Sequence, residues 1–153
     1  MQLIEFLQIN ELLDILSGKL SASLNRLLSR KFREAGIDIS PEQWLVMLCL
    51  WTQDKITQQD ISDQTSKDKA SITRLLDTLS RHDLIERHSS SNDRRMNHIH
   101  LTDKGRELEQ KAMEIVRESF DQAINGVSEK DLLFMRKIVV KLLNNLSIQP
   151  NCQ

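Results

Sequence analysis

The chain is 153 residues long, which favours one domain with a sizeable buried core. Its hydrophobic fraction of 39% and charged fraction of 28% are typical of globular proteins and exclude an intrinsically disordered chain. Because 21 basic residues nearly balance 22 acidic ones, the net charge of −1 argues against nucleic-acid binding by bulk charge alone.

The first part of the chain predicts helices separated by a very short strand. Leucines spaced by three or four residues predict a long helix, or two joined ones, over residues 1–35. Ser40-Pro41-Glu42 is typical of a helix start and precedes an apolar run, Trp44–Trp51, that predicts a buried helix. A short strand at Lys55–Ile56 and a capping box at Thr57–Asp60, which would open a short helix, follow.

The middle of the chain changes from helical to alternating periodicity. The polar residues Ser62–Lys67 predict a turn, and Asp68–His82 predicts an amphipathic helix. Alternation in Leu84–His88 and in Asn97–Leu101, on either side of a polar loop, predicts a β-hairpin.

Two more helices are predicted in the last third. The first is capped by Thr102 and ends at Gly126, and the second starts at a capping box at Ser128 and runs to Leu146. With only four glycines and two prolines, the chain as a whole predicts a mainly α fold with a small β-hairpin.

Several features predict a cytoplasmic protein without a membrane span. No apolar stretch approaches 18 residues, and the first residues lack a basic leader and carry Glu5 and Glu11, unlike a signal peptide. The two cysteines, Cys49 and Cys152, form neither a disulfide framework nor a CxxC pair.

The order of elements in the middle of the chain predicts a winged helix-turn-helix. A helix with one apolar face and an outer face of small, polar and basic residues suits the DNA major groove. The predicted base or phosphate contacts of this helix are Lys69, Ser71, Thr73 and Arg74. The hairpin loop ends in Arg94 and Arg95, which suit phosphates or a narrow minor groove.

Charge is unevenly distributed along the sequence. Residues 67–106 contain nine basic and six acidic residues, a net charge of +3, which leaves −4 for the rest of the chain. A positively charged DNA-binding segment within a nearly neutral chain is expected if one side of the protein faces phosphates.

Four blocks of sequence, in this order and spacing, resemble the MarR family of winged helix-turn-helix regulators. They are Asp68–Leu79, Leu84–Arg87, Asn92–Arg95 and Leu101–Gly105. The resemblance covers nearly the whole chain and implies a homodimer that binds a pseudo-palindromic operator in double-stranded DNA and usually represses. It also implies release from DNA by a small aromatic or phenolic ligand, or by oxidation.

The same resemblance assigns roles to the wing. Arg95 would enter the minor groove or hold its backbone, Arg94 is a second candidate, and Asp93 would hold a wing arginine by a charge-assisted hydrogen bond. One position departs from the family pattern: Asp83 stands where a glycine is common before the first wing strand. Because aspartate tolerates the left-handed region better than most residues, we expect the turn to persist at some cost in stability.

The resemblance also implies an effector site between the dimer helices and the winged helix-turn-helix. Phe32, Trp44, Met47 and Trp51 are candidates to line a ligand pocket, although apolar residues of this kind are by default core residues.

Metal and thiol chemistry are weaker hypotheses. Three histidines of the hairpin, His88, His98 and His100, suggest zinc, but no acid or cysteine falls into an obvious fourth place. We therefore predict no metal and no cofactor. Cys49 lies inside an apolar helix and is expected to be a small core residue, with a thiol-based redox sensor as the alternative.

The aliphatic load of the terminal helices predicts pairing with a second copy. We expect residues 1–36 and 102–147 to dimerise, 40–101 to bind DNA and 148–153 to form a flexible tail, all within one compact domain.

The sequence contains no G-x-S-x-G, H-E-x-x-H or phosphate-loop motif, so we do not expect an enzyme. A winged-helix adaptor that binds proteins remains the alternative from another class.

Overall fold

Residues 18–89 and 97–147, which the computed structural model describes, form six helices and three strands. In chain order these are α1 (Lys19–Glu34), α2 (Pro41–Thr52), β1 (Ile56–Thr57), α3 (Gln58–Thr65), α4 (Lys69–Arg81), β2 (Ile85–Ser89), β3 (Asn97–Leu101), α5 (Asp103–Ala123) and α6 (Glu129–Ser147). The strands form one antiparallel sheet in the order β1-β3-β2. The predicted mainly α fold with a small hairpin is confirmed.

Three sets of predictions fall outside the described residues. They concern the helix over residues 1–17, the loop that carries Asp93, Arg94 and Arg95, and the tail 148–153 with Cys152. The chain divides into two compact units, Met1–Ser119 and Phe120–Gln153.

The predicted helix starts at Ser40 and Thr57 are confirmed as capping boxes. The Ser40 hydroxyl accepts from the Gln43 amide N–H at 3.1 Å, and the Gln43 side chain accepts from the Ser40 N–H at 2.7 Å. Thr57 and Asp60 exchange the same pair of bonds at the start of α3. Each box satisfies two backbone donors that a helix start would otherwise leave unpaired.

The turn predicted for Ser62–Lys67 is wrong over most of its length, because α3 continues to Thr65. The Thr65 hydroxyl donates to the Ile61 carbonyl at 2.7 Å, and the Ser62 hydroxyl donates to the Lys67 carbonyl at 2.5 Å. Ile61 is fully buried, so one apolar side chain anchors a helix whose other residues are polar. The turn itself is confined to Ser66, where φ is +53°, and its neighbours.

The core of the first unit lies where α1, α2, α4 and the sheet meet. Its fully buried side chains include Phe32, Met47, Leu50, Ile72, Leu76, Leu79 and Ile99. The indole N–H of Trp51 donates to the Gly105 carbonyl at 2.9 Å and so joins the end of α2 to the start of α5. The same start is capped as predicted by Thr102, whose hydroxyl accepts from the Gly105 N–H at 3.0 Å.

The tight turn between α4 and β2 is built on Asp83. This residue has φ of +59°, so the predicted left-handed conformation is confirmed. Its N–H donates to the Ser80 carbonyl at 3.0 Å, and its carbonyl accepts from the Thr102 hydroxyl at 2.7 Å. These bonds hold an aspartate in a region of backbone space that favours glycine.

The second unit is dominated by α6. The Ser128 hydroxyl accepts from the Asp131 N–H at 3.2 Å, so the predicted cap is confirmed, and Gly126 ends the preceding turn with φ of +81°. Many apolar side chains of α6 are exposed in the monomer, among them Leu133, Phe134, Met135, Ile138, Val139, Leu142 and Leu143. Among the described helices, none combines the length and apolar character needed to cross a membrane.

Candidate nucleic-acid interface

Helix α4 is held on the first unit by one face and presents the other to solvent. The buried face consists of Ile72, Leu76 and Leu79, as the predicted amphipathic pattern requires. Asp68 caps the helix by accepting from the Ser71 N–H at 2.9 Å. The hydroxyl and N–H of Ser71 both bond this carboxylate, and these bonds hold the pKa of Asp68 below its ordinary value.

The four side chains predicted to contact DNA from α4 fall into two groups. Lys69 and Arg74 are exposed, and the Arg74 Nε donates to the Ala70 carbonyl at 3.4 Å. Ser71 and Thr73 are half-buried and already have partners: Ser71 donates to Asp68 at 2.6 Å, and Thr73 donates to the Lys69 carbonyl at 2.8 Å. Lys69 and Arg74 are therefore the more accessible of the four to a ligand.

Gln58, which no sequence pattern singles out, joins α3 to α4. Its side-chain amide donates to the Thr73 hydroxyl at 2.6 Å and to the Lys69 carbonyl at 3.3 Å. These bonds fix the first turn of α4 relative to the preceding helix. No local sequence signal identifies this role, because the bonds join positions 11 and 15 residues apart.

Two further arginines belong to this surface and were also missed. Arg81 is exposed in the last turn of α4 and donates to the Thr78 hydroxyl at 3.0 Å. The Arg87 guanidinium on β2 lies 2.7 Å from the Asp77 carboxylate on α4. This ion pair neutralises an acid on the exposed side of α4 and joins that helix to the hairpin.

The hairpin has a regular register that continues up to its loop. Ile85 pairs with Leu101 at one end, and Ser89 pairs with Asn97 at the other. The predicted wing residues Asp93, Arg94 and Arg95 lie between these ends and outside the described residues. Ile85, Ile99 and Leu101 are buried on the inner face of the hairpin, which fixes its orientation on the core.

Asp54 anchors the base of the hairpin. Its carboxylate accepts from the Leu101 N–H at 2.9 Å and the Lys55 N–H at 2.8 Å, and it pairs with Arg106 at 2.8 Å. Burial by itself would raise the pKa of Asp54, but these three partners together outweigh it and hold the pKa below the ordinary 3.8. Sequence periodicity does not indicate this network, because Leu101 and Arg106 lie 47 and 52 positions after Asp54.

The outer face of the hairpin carries Glu86, His88, His98 and His100. The rings of His88 and His100 stack with centroids 4.1 Å apart, and the Glu86 carboxylate lies 2.8 Å from His88 Nε2. Partial burial, followed by the nearby charge of His88, holds the pKa of His100 below its ordinary value. Antiparallel pairing places Glu86 directly opposite His100, so an acid accompanies two of the three histidines.

Two adjoining cavities lie near His82, at the end of α4. Their volumes are about 590 and 310 Å³, and they share a wall of Gly36, Ile37, Asp38, Ile39 and His82. Arg33 lines the larger cavity and Lys104 the smaller. Both cavities therefore have a cationic group and an apolar wall.

The four residues predicted to line a ligand pocket lie elsewhere. Phe32 and Met47 are fully buried and Trp44 is 8% exposed, so all three fill the core. Trp51 is half-buried and bonded to Gly105. None of the four lines the two cavities near His82.

Cys49 is buried among apolar residues of α2, as the core interpretation predicts. Its thiol donates to the Leu45 carbonyl at 3.3 Å. Burial raises the pKa of the thiol, which disfavours the reactive thiolate. These observations favour a structural role for Cys49.

Together, α3, the turn at Ser66, α4 and the following hairpin define a winged helix-turn-helix protein. Residues 39–96 match the model of the MarR family. The predicted resemblance to that family is confirmed.

Individual relatives agree with this assignment. The chain is 25% identical over 124 residues to the uncharacterized HTH-type transcriptional regulator YdgJ of Bacillus subtilis. The matched residues make up 81% of this chain and 75% of the relative. It is similar to the structure of the S. aureus MepR–DNA complex, with 26% identity, a TM-score of 0.80, and coverage of 88% of this chain and 97% of the other. The transcriptional regulator SlyA, at 21% identity, shares the fold with a TM-score of 0.79 over 88% of this chain and 94% of its own.

Proposed function

We propose that this protein is a transcriptional regulator that binds double-stranded DNA, with α4 in the major groove. The observation that carries the proposal is the two-sided character of α4: Ile72, Leu76 and Leu79 are buried, while Arg74 is exposed on the opposite side and Lys69 is exposed in the first turn. A helix held in this way can approach base edges and phosphates closely. MepR, which has the same fold, has been solved as a DNA complex, and this supports the proposal.

Lys69 and Arg74 are assigned the leading contacts on α4. A guanidinium can form bidentate hydrogen bonds to guanine or to a phosphate, whereas an ammonium acts as a point charge. Ser71 and Thr73 would have to exchange their present partners to bond DNA through their hydroxyl protons. We therefore assign these two residues to secondary contacts.

The wing is assigned to the adjacent minor groove. Arg94 and Arg95 would enter the groove or bind its phosphates, and Asp93 would hold one of the arginines. The regular register from Ile85 to Ser89 supports this role, because it gives the loop a rigid base.

A second copy of the chain is the proposed partner of α6. Phe134 is 65% exposed and Leu143 57% exposed in the monomer, and apolar side chains of this size are normally covered. In a two-fold dimer formed by residues 1–36 and 102–147, residues 40–101 of each copy would bind one of two successive major grooves, about 34 Å apart. Such a dimer suits a pseudo-palindromic operator, and occupation of the operator would repress transcription.

The cavities near His82 are the proposed effector site, in place of the pocket predicted from the sequence. Arg33 offers a cation for a carboxylate or phenolate, and Ile37 and Ile39 offer an apolar wall for a ring. A small aromatic acid or phenol bound here would lie beside the end of α4. Binding would release DNA if the DNA-bound arrangement closes the cavity.

Selection of bound sequences from a random duplex library tests the proposal, followed by gel shifts with variants. We expect a symmetric site, a loss of at least about tenfold in affinity for Arg74→Ala and for Arg95→Ala, and no loss for Arg26→Ala. Arg26 is the matched control, because it is exposed on α1, lies outside residues 40–101 and, among the described residues, bonds Ser23 of the same helix. A dimer in sedimentation equilibrium is expected at micromolar concentration.

Other outcomes would overturn parts of the proposal. If no sequence is enriched, or if Arg74→Ala and Arg95→Ala bind as well as the unaltered protein, DNA reading by this surface is wrong. A winged-helix adaptor that binds proteins is then the better account. A monomer at micromolar concentration would contradict the proposed dimer.

A further inference from the structure

The outer face of the hairpin concentrates metal-binding side chains that the proposed DNA contacts do not use. Glu86 and His88 lie two positions apart on β2, and His100 lies opposite Glu86 on β3. One donor atom from each of the three lies within 4.8 Å of the others. Glu86 and His88 are exposed and His100 is half-buried, so solvent ions have access to this cluster.

We propose that Glu86, His88 and His100 form a binding site for a divalent first-row transition-metal ion of the zinc class. Two imidazoles and one carboxylate are donors that such an ion prefers, and a ligand set of two histidines and one glutamate leaves a fourth position for water. The hard ions Mg²⁺ and Ca²⁺ prefer oxygen ligands and are not expected here.

The spacing of the three donors is close to what the ion requires. Ligands about 2.0–2.1 Å from a tetrahedral ion lie about 3.4 Å from each other, so donors within 4.8 Å need to move by only about an ångström. The hairpin register already fixes the three Cα positions. The imidazole rings, which stack at 4.1 Å, can converge on an ion by rotating about χ2, a torsion that is broad in histidine.

His98 shares the same face but lies outside this group of donors. It pairs with His88 across the strands on one side and with Thr57 of β1 on the other. It is therefore a matched control: a histidine on the same strand and the same face, two positions from His100.

A bound ion would join β2 to β3 through side chains of the outer face. Backbone pairing and the stacked rings of His88 and His100 already join the two strands there. Because the ion would bind the folded hairpin and not the extended chain, it would raise the thermal stability of the protein.

Competition between the untagged protein and a chromophoric chelator for Zn²⁺, together with the visible spectrum of added Co²⁺, tests the site. We expect one ion per chain, a Co²⁺ spectrum typical of nitrogen and oxygen ligands without thiolate charge transfer, and a rise in melting temperature with Zn²⁺ but not with Mg²⁺. His88→Ala, His100→Ala and Glu86→Gln should each weaken Zn²⁺ binding by about tenfold or more. His98→Ala should bind as the unaltered protein does.

Circular dichroism and the melting temperature without metal check that each variant folds, which is expected because the three side chains lie on the outer face. If His88→Ala and His100→Ala keep full affinity, or if His98→Ala loses as much as they do, the assigned site is wrong. A Co²⁺ spectrum with thiolate charge transfer would likewise overturn it. None of these outcomes bears on DNA binding, which is measured separately.

Discussion

The Asp77 carboxylate on α4 lies 2.7 Å from the Arg87 guanidinium on β2. This contact joins the two elements that we propose to read DNA and neutralises an acid that would face the phosphates. Because both side chains are partly exposed, the pair is expected to contribute at most about 1 kcal/mol to stability. Its larger effect should be on DNA binding.

Arg87→Ala should therefore weaken DNA binding much more than it weakens the fold. It leaves the Asp77 charge uncompensated, and we expect affinity to fall several-fold while the free energy of unfolding changes by no more than about 1 kcal/mol. Addition of Asp77→Asn to Arg87→Ala should recover part of the lost affinity. A double variant no better than Arg87→Ala alone, in the same gel shift, would show that the pair has no electrostatic role.

Asp83→Gly should stabilise the protein. Asp83 has φ of +59°, and glycine adopts this conformation without the steric cost that a side chain incurs. We expect a gain of about 0.5–1 kcal/mol in urea unfolding, after allowance for the greater freedom of glycine in the unfolded chain. Asp103→Gly, a glycine placed in the first turn of α5, is the control and should lower stability.

Gly105→Ala should disrupt the packing between α5 and the turn before β2. A Cβ at this position would overlap the backbone carbonyl oxygen of Leu84, and a backbone atom cannot move aside as a flexible side chain can. We expect a loss of about 2 kcal/mol or more in denaturant unfolding. Glu107→Ala, at an exposed position on the same helix, should change stability little. If Gly105→Ala is as stable as the unaltered protein, the contact between Gly105 and the Leu84 carbonyl is not tight.

Asp54 should make stability depend on pH in the acid range. The folded-state pKa lies below the ordinary 3.8, so the stabilisation is fully present above about pH 5 and is lost as the pH falls through 3.8 towards the folded-state pKa. Asp54→Asn lacks this titration and loses the ion pair with Arg106. The difference in unfolding free energy between the two proteins should therefore be constant near neutral pH and shrink on acidification. A difference that grows towards acid pH would reverse the assigned sign.

Much of the fold could be predicted from the sequence because its signals are local. The capping residues Ser40, Thr57 and Ser128 act within three positions, and the apolar faces of the helices repeat at a fixed period. The left-handed turn at Asp83 was predicted from one departure from a family pattern. The extent of α3 was not, because a single buried residue, Ile61, holds an otherwise polar helix in place.

The candidate site was less predictable because it depends on contacts between distant positions. The sequence identified Lys69 and Arg74 but did not show that Ser71 and Thr73 are occupied by Asp68 and by backbone. The sequence also suggested large apolar residues for a ligand pocket, whereas the two cavities near His82 are lined by the segment from Gly36 to Ile39. The approach of Glu86 to His100 follows from strand register, which periodicity alone does not specify.

Sequence-selective DNA binding by the unaltered protein is the central claim, and it is tested most directly by fluorescence anisotropy. The protein is titrated against the duplex upstream of its own gene and against a shuffled duplex of equal composition, between about 50 and 200 mM salt. We predict much tighter binding to the upstream duplex at every salt concentration, with affinity falling steeply as salt rises. Equal affinity for the two duplexes, or binding that does not depend on salt, would contradict the account.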